Sequence, residues 1–404
     1  VPDKERKRFG FMLTNDQEYI LSLIRQSMGI QQNNPQTVSV SDAESVAGVI
    51  RKNGILMTVF PLIMEQSGQD ENAEKIFSLL LPDFVSASKK MHMLTVESGN
   101  VLKALGEAGF DCVPLKGMVL RKLYQDASRR QMTDLDILVR PNDFARLKEA
   151  MEQAGFAGET ESNWMHDDFT KGTVLAEIHK RLSDDGGPAE EWEKHMWERA
   201  VPDGEHAYLM SPEDFYIHHL IHMHAHFQYG CMGLNRLIDT WLLSGRQTDS
   251  GYVGAELERL GLSSFRVRME KLSRVVMGEE EPDDECGILL DFAFRYGTFG
   301  TGATYKAGRI VSGGKGLFFG KLRSWTTAVF LPLNRMKAQY PVLAKWPVLL
   351  PFYWVKRIVH YCLHDDIKKR AKMLDCSSVS REDCDEMRRF LDAGDPEYLG
   401  RATK

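Results

Sequence analysis

The sequence contains no long apolar run and no paired-cysteine motif, and each absence excludes a class of protein. Its longest apolar stretch, WPVLLPFYWV (346–355), is about half the length of a membrane-spanning helix and includes two prolines. The six cysteines are scattered without a C-x-x-C pair, which argues against a disulfide framework and against a thiolate zinc site. No signal-peptide pattern opens the sequence, so we expect a protein of the reducing cytoplasm.

The chain also has no excess of basic residues. It carries 51 Lys and Arg against 57 Asp and Glu, a formal net charge of -6, which makes an extended nucleic-acid-binding surface a poor expectation. With 43% hydrophobic and 27% charged residues, the composition is that of an ordinary globular protein. A length of 404 residues predicts two or three domains.

The hydrophobic pattern divides the chain into three regions. Apolar residues recur at three-and-four spacing from 15 to about 108, and again after about residue 183, which predicts helices in both regions. Between them, the short apolar runs CVPL (112–115), LDILV (135–139) and TVLAEIH (173–179) alternate with helical stretches, one of which is expected to begin at Pro141 and Asn142.

This pattern predicts an α+β fold with three domains. We expect a helical region at 1–95, a core at 96–182 and a second helical region at 183–404. The glycine-rich stretch 297–316 lacks the spacing of a dinucleotide-binding fingerprint and predicts an ordinary mobile loop.

Two aspartates occupy alternate positions at the start of the middle predicted strand, in the segment RRQMTDLDILVR. On a strand, Asp134 and Asp136 point to the same face with their Cα atoms about 7 Å apart. Two ionised carboxylates about 5 Å apart repel by roughly 3 kcal/mol at an effective dielectric constant of about 20. A divalent cation removes that repulsion, and Mg²⁺ suits the site because it takes further ligands from substrate phosphates. The alternative is a strand end with two solvated aspartates.

Two further features lie on the neighbouring predicted strands. Lys116 and Gly117 stand between a strand and a helix, where backbone N–H groups can hold phosphate, although such turns often carry glycine for conformational reasons. Glu177 lies within the third apolar strand, where a buried carboxylate needs a partner. With Asp134 and Asp136 it completes a set of three acids that suits two-metal phosphoryl transfer.

The order LKG, R-x-x-T-D-L-D-I-L-V, GF and E-I-H resembles the nucleotidyltransferase superfamily of DNA polymerase beta type. More narrowly, it resembles a bacterial family of uncharacterised nucleotidyltransferases in which Lys-Gly stands where most relatives have Gly-Ser. The likeness continues through SPEDFYIHHLIHMHAH, NRLIDTWLL and the stretch 331–357. It implies a polymerase-beta-type core with a small mixed sheet, an NTP substrate, for which we expect ATP, and Mg²⁺ or Mn²⁺ as cofactor.

The resemblance also implies roles for individual residues. Asp134, Asp136 and Glu177 would be catalytic and would bind the metal. The expected nucleotide and phosphate contacts are Lys116, Gly117, Arg130 and Thr133. The departure from Gly-Ser removes a hydroxyl group, so Lys116 either compensates for it or indicates a different donor.

Two side chains near these acids have open roles. Arg130 is expected either to neutralise phosphate charge or to form a surface salt bridge. His179 shares the strand face of Glu177 and is expected to orient a ligand, to act as a base, or to be a hydrogen-bonded structural histidine.

The segment HHLIHMHAH contains five histidines on one predicted helix. His218, His219, His222 and His226 fall on one face about 100° wide, with His224 nearly opposite. We expect this face to contribute cleft contacts through His222 and His226, although an interhelical network and a metal site are alternatives. On the next helix, Arg236 and Asp239 are three residues apart and are expected to pair at the same cleft.

The combined expectation is an enzyme that transfers a nucleoside monophosphate from an NTP to an acceptor, with a small molecule or a protein favoured over RNA. One alternative is an inactive protein that keeps the fold to sense nucleotide or to scaffold a partner. Another is a peripheral membrane protein, suggested by Trp346 and Trp354 followed by Lys356 and Arg357. Fold and site leave the acceptor open.

Overall fold

The computed structural model describes residues 12–30, 40–140, 145–158, 165–183, 188–313, 342–363 and 378–402, with Cys376 and some positions between 320 and 340. The residues expected to begin the second core helix, Pro141 and Asn142, lie outside the described residues, as does the start of the chain. The expected α+β architecture, a small mixed sheet between helical regions, is confirmed.

A five-stranded mixed sheet has the order β1-β2-β5-β4-β3. Its strands are β1 (Cys112–Pro114), β2 (Leu135–Val139), β3 (Ala157–Gly158), β4 (His166–Lys171) and β5 (Val174–His179). β2 and β5 pair in parallel, whereas the other neighbours pair antiparallel. The predicted strands β1, β2 and β5 are therefore present, and β3 and β4 are additions.

The parallel pair requires a crossover, which the chain makes through α6 (Ala145–Gln153), β3 and β4. β4 returns into β5 through a two-residue turn at Gly172 and Thr173. Gly172 has φ +60°, a conformation that glycine adopts without steric cost. The turn brings β4 against the strand that carries Glu177.

Within the described residues, four helices precede the sheet, as the hydrophobic pattern predicts. They are α1 (Asn15–Ser27), α2 (Ala43–Lys52), α3 (Leu56–Ser67) and α4 (Glu71–Glu107). Asp70 caps α4 by accepting a hydrogen bond from the Ala73 backbone N–H, and Gly109, with φ +77°, follows its end. α4 continues across residue 95, so the domain boundary expected there remains a prediction.

The remaining helices follow β1 and β5. They are α5 (Gly117–Leu120), α7 (Pro188–Arg199), α8 (Pro212–Phe227), α9 (Leu234–Ser244), α10 (Ser250–Arg259), α11 (Ser263–Met277), α12 (Asp284–Tyr296), α13 (Gly302–Ser312), α14 (Val342–Lys345), α15 (Leu350–Leu363), α16 (Arg381–Gly394) and α17 (Tyr398–Ala402). A two-stranded ribbon, β6 (Val201–Pro202) and β7 (Tyr208–Leu209), lies between α7 and α8.

β2 is buried on both faces, which explains how a charged residue comes to lie inside the protein. Leu135, Ile137 and Val139 pack with α4 and α6 on one side of the sheet. Leu138 on the other side belongs to the core formed by the helical regions. Asp136 shares that second face, since alternate strand residues point the same way, and its side chain is only 4% exposed.

The expectation of a loop over 297–316 is wrong for its central part. Residues 302–312 form α13, because Thr301 and Thr304 make reciprocal capping hydrogen bonds and Ala307, Ile310 and Val311 supply a buried face. Because this stretch contains many glycines, the helical spacing of its apolar residues was not recognised from the sequence. Residues 314–316 lie outside the described part.

The aromatic stretch near α15 presents apolar side chains to solvent. Trp346 and Phe352 are 61% and 62% exposed, whereas Trp354 donates a hydrogen bond from Nε1 to the Leu331 carbonyl. Among the helices of the described residues, none is long and apolar enough to pass through a bilayer.

One buried carboxylate connects three of the helices that follow the sheet, α7, α8 and α10. Asp214 of α8 is fully buried and accepts hydrogen bonds from Trp192 and Arg199 of α7 and from Tyr252 of α10. The Arg199 contact is bidentate, at 2.9 and 2.7 Å.

We expect Asp214→Asn to lower the free energy of unfolding by about 3 kcal/mol, because it leaves the Arg199 guanidinium without its counter-charge. Chemical denaturation monitored by circular dichroism measures this. Asp385→Asn is the control, since Asp385 forms an exposed pair with Arg388 and its loss should cost less than about 1 kcal/mol. Equal losses in the two variants would contradict the structural role of Asp214.

Candidate functional site

The sheet and the C-terminal helices enclose a cavity of about 350 Å³. Its wall contains all but one of the predicted site residues: Lys116, Gly117, Arg130, Thr133, Asp134, Asp136, Glu177, His222, His226, Arg236 and Asp239. The remaining one, His179, contacts Asp136. The cavity wall also contains residues that the sequence did not single out, among them Arg51, Asn235 and Thr298.

Asp136 lies at the centre of the acidic side of the cavity. Its Oδ1 accepts a hydrogen bond from Lys116 Nζ at 2.6 Å and lies 3.0 Å from His179 Nε2. The ammonium of Lys116 and the contact with His179 hold the pKa of Asp136 below its usual range, although burial opposes that shift. Neither contact uses Oδ2, so that oxygen has no hydrogen bond within the described residues.

Lys116 reaches Asp136 from a strained backbone. It has φ +43°, a positive value that no other described non-glycine residue adopts. The glycine that follows has a packing role, since a Cβ at Gly117 would lie 2.7 Å from Met132 Cγ. The backbone N–H groups of Met118, Val119 and Leu120 already donate to carbonyl oxygens. These three N–H groups are therefore not available to a phosphate, whereas the Lys116 ammonium faces the cavity.

Asp134 precedes β2 and has no cation beside it at hydrogen-bond distance among the described residues. It receives one hydrogen bond, from the Thr133 hydroxyl group at 3.1 Å. Burial, and then the charges of Asp136 and Glu177, raise the pKa of Asp134 to about 6. The carboxylates thus repel one another as the sequence predicts, and Lys116 relieves that repulsion only in part.

Glu177 stands opposite Asp136 in the register of the parallel pair. Its Oε2 lies 3.5 Å from His179 Nε2, which agrees with the two side chains sharing a face of β5. Lys180, three residues after Glu177, donates a hydrogen bond to Asp167 at 2.8 Å.

β4 brings two further side chains of the types that can ligate metals, His166 and Asp168, to the acids, and the sequence did not predict them. Asp168 stands opposite Glu177 in the antiparallel register, and His166 stands opposite His179 with ring centroids 5.1 Å apart. Asp136, Glu177 and Asp168 therefore form a row of carboxylates across three neighbouring strands. The polar segment HDDFTK gave no apolar alternation by which to recognise this strand.

Arg130 forms an ion pair, one of the two roles open to it, but the pair is buried and not on the surface. Its Nε and Nη2 donate to Asp239 at 2.9 and 2.7 Å, and the two side chains are 13% and 1% exposed. Tyr124 donates a third hydrogen bond to Asp239 at 2.9 Å. The prediction that Arg236 pairs with Asp239 is wrong. Arg130, which lies in the loop before β2, donates hydrogen bonds to both carboxylate oxygens of Asp239 instead.

The histidines of α8 divide between two environments. His218, His219, His222 and His226 line the cavity, whereas His224 bonds to Asp395 away from it. Burial lowers the pKa of His218 and His226 to about 3 and that of His219 to about 4, so these rings are neutral near pH 7.

The donor set of the acidic side fits a divalent cation. Within the part of the chain that the structure describes, His166, Glu177 and His179 form the group whose ligand atoms all lie within 4.8 Å of one another, and the three predicted carboxylates do not meet that distance. Asp136 is held by Lys116 and His179. Its Oδ2, with Asp134 and Glu177, nevertheless offers the carboxylate oxygens that Mg²⁺ and Mn²⁺ prefer.

Comparison with known families agrees with this geometry. A family model described as an uncharacterised nucleotidyltransferase matches residues 39–278, more than half of the chain. The match begins after α1, includes α2 to α4, the sheet and α7 to α11, and ends before the 331–357 stretch. Neither a curated protein nor a solved structure matches the chain. The chain therefore belongs to this uncharacterised nucleotidyltransferase family.

Proposed function

We propose that the protein transfers a nucleoside monophosphate from an NTP to an acceptor in the cavity and releases pyrophosphate. In this reaction an acceptor oxygen or nitrogen loses a proton and bonds to the α-phosphorus, while the bond from that phosphorus to the bridging oxygen breaks. The register of Asp136 with Glu177, with Asp134 just before β2, is the observation that carries the proposal. We further propose that residues 96–182 act as the catalytic domain and residues 183–404 supply the opposite wall.

The residues of the acidic side have separate roles in this scheme. Asp134, Asp136 and Glu177 would hold Mg²⁺ or Mn²⁺, which when bound stabilises charge on the phosphoryl oxygens and lowers the proton affinity of the acceptor. Lys116 would leave Asp136 and contact the donor phosphates, where its ammonium neutralises charge. His179 would keep Asp136 oriented, since its Nε2 lies within reach of both Asp136 and Glu177.

Arg130, Asp239 and Thr133 contribute to the cavity in different ways. Arg130 and Asp239 neutralise one another and would shape the cavity without binding phosphate. Thr133 is exposed and would contact the nucleotide or orient Asp134 through its hydroxyl group. ATP remains the donor that we propose, with a small molecule or protein as acceptor.

The Lys116–Asp136 pair also supports a second candidate, a protein that keeps the fold to sense nucleotide. A lysine that already neutralises the central carboxylate reduces the need for a cation there. The two candidates differ in one outcome. The enzyme labels an acceptor from NTP carrying ³²P at the α-position, whereas the sensor binds the nucleotide and labels nothing.

We expect Asp136→Asn to abolish the Mg²⁺ dependence of ATP binding, because the variant removes the carboxylate at the centre of the site. Calorimetric titration of ATP with Mg²⁺ and with EDTA measures this dependence in both proteins. Asp111→Asn is the control, since Asp111 pairs with His206 and lies outside the cavity lining. An Mg²⁺ dependence that persists in Asp136→Asn would remove the metal assignment.

We expect Lys116→Ala to change two affinities in opposite directions. ATP should bind at least about tenfold more weakly while adenosine is little affected, because only ATP carries charge for the ammonium. Mn²⁺ alone should bind more tightly, since its competitor for Asp136 is gone. Lys122→Ala, at an exposed neighbouring position, should change neither affinity. Equal weakening of ATP and adenosine would indicate a structural turn.

We expect Glu177→Gln to separate binding from chemistry. Incubation with each labelled NTP, Mg²⁺ or Mn²⁺ and a cell extract should label an acceptor with the parent protein, and at least about a hundredfold more slowly with the variant, or roughly 2.7 kcal/mol of barrier. ATP affinity and melting temperature should survive, as should activity in the control Glu97→Gln, whose parent residue pairs with Lys171 outside the cavity lining. A destabilised variant with full specific activity would refute the catalytic assignment.

A further inference from the structure

Arg236 is a charged side chain of the cavity wall that the proposed chemistry does not use. It lies on α9 and is partly buried, and its Nη1 is shielded from solvent without a hydrogen-bond partner. Within the described residues its guanidinium forms no ion pair. A planar group with five donors is therefore held at a cavity with its charge uncompensated.

The surroundings of Arg236 do not supply the missing counter-charge. Asp239 lies one turn further along α9, and both of its carboxylate oxygens already accept hydrogen bonds, from Arg130 and Tyr124. Burial is the largest cause that lowers the pKa of Arg236, to about 10, and the guanidinium of Arg130 acts in the same direction. A buried charge without a partner costs free energy, and a fold retains it at that cost when a ligand completes the pair.

Two imidazoles of α8 form the adjacent part of the cavity wall. His222 and His226 have ring centroids 4.5 Å apart and Nε2 atoms 3.1 Å apart, so one ring donates a hydrogen bond to the other. Burial is the main cause that lowers the pKa of both rings, and the charges of Lys116 and Arg236 act in the same direction. Neutral rings cannot compensate a cation. The ring that accepts through Nε2 carries its proton on Nδ1, so the pair offers one N–H donor to an anionic ligand.

The cavity therefore has two chemically opposite sides. The carboxylates Asp134, Asp136 and Glu177 line the sheet side, and Arg236 with the imidazoles lines the side formed by α8 and α9. Cations suit the first side. A group that accepts hydrogen bonds and carries negative charge suits the second, and guanidinium groups bind phosphate and carboxylate through two parallel hydrogen bonds.

We propose that Arg236, His222 and His226 form an anion subsite that binds a phosphate or carboxylate group. It deepens the proposed function, on which its biological use depends, because it makes the ligand of this side an anion: either the polyphosphate of the donor or an acceptor that carries phosphate or carboxylate. The subsite itself is independent of the metal.

Metal-free binding of inorganic phosphate tests the subsite. Calorimetry in EDTA should detect phosphate binding to the parent protein and at least about tenfold weaker binding to Arg236→Met. Arg236→Lys keeps the positive charge but loses the two parallel N–H donors of the guanidinium group. Its phosphate affinity should therefore lie between those of the parent protein and Arg236→Met. The control is Arg51→Met, because Arg51 lines the same cavity but already donates to Asp83 and to the Leu79 carbonyl.

Thermal melting separates a binding role from a structural one. Without phosphate, Arg236→Met should melt at the parent temperature or above it, because it removes an unpaired buried charge. Phosphate should raise the melting temperature of the parent and not that of the variant. The proposal is overturned if the variant fails to fold, melts several degrees lower, or binds phosphate as the parent does.

A non-hydrolysable ATP analogue with Mg²⁺ identifies the source of the anion. Competition between the analogue and phosphate assigns the subsite to the donor, whereas simultaneous binding assigns it to the acceptor. Asp136→Asn keeps the two proposals apart, since it should abolish the Mg²⁺ dependence of ATP binding and leave metal-free phosphate binding intact. Loss of phosphate binding in Asp136→Asn would contradict a separate subsite.

Discussion

The parallel pairing of β2 with β5 is the constraint from which the geometry of the site follows. Parallel register places Asp136 beside Glu177, although 41 residues of chain separate them, because the crossover returns the second strand in the same direction. β1 on one side then supplies the turn that carries Lys116, and β4 on the other supplies His166 and Asp168. A shift of one residue between β2 and β5 would turn the carboxylates away from one another and disperse the site.

Some charged side chains of the cavity wall have a counter-ion at short distance, and others do not. Lys116 neutralises Asp136 and Arg130 neutralises Asp239, each at short distance. Asp134 on the sheet side and Arg236 on the helix side have no such counter-ion among the described residues. A ligand with a cation at one end and an anion at the other would complete both, which is the charge distribution of a metal–nucleotide complex or of a metal-bound donor beside an anionic acceptor.

The sequence predicts those parts of the site that lie in apolar surroundings. Asp136 and Glu177 stand out because each interrupts a run of strand-forming residues, and the α8 histidines because their spacing matches the helical period. The partner of Arg130 was not predictable, since 109 residues separate it from Asp239 and sequence spacing reports only neighbours within an element. β4 was not predicted for a related reason: Phe169 is the one apolar residue among its six, so the strand has no hydrophobic period.

The positive φ of Lys116 has a consequence for the behaviour of the turn. A non-glycine residue in that region stores about 1–3 kcal/mol of conformational strain, and such strain persists only where surrounding contacts outweigh it. Here the compensating contact is the hydrogen bond to Asp136. A ligand that binds Asp136 in place of Lys116 would therefore also remove the contact that offsets the strain of this turn.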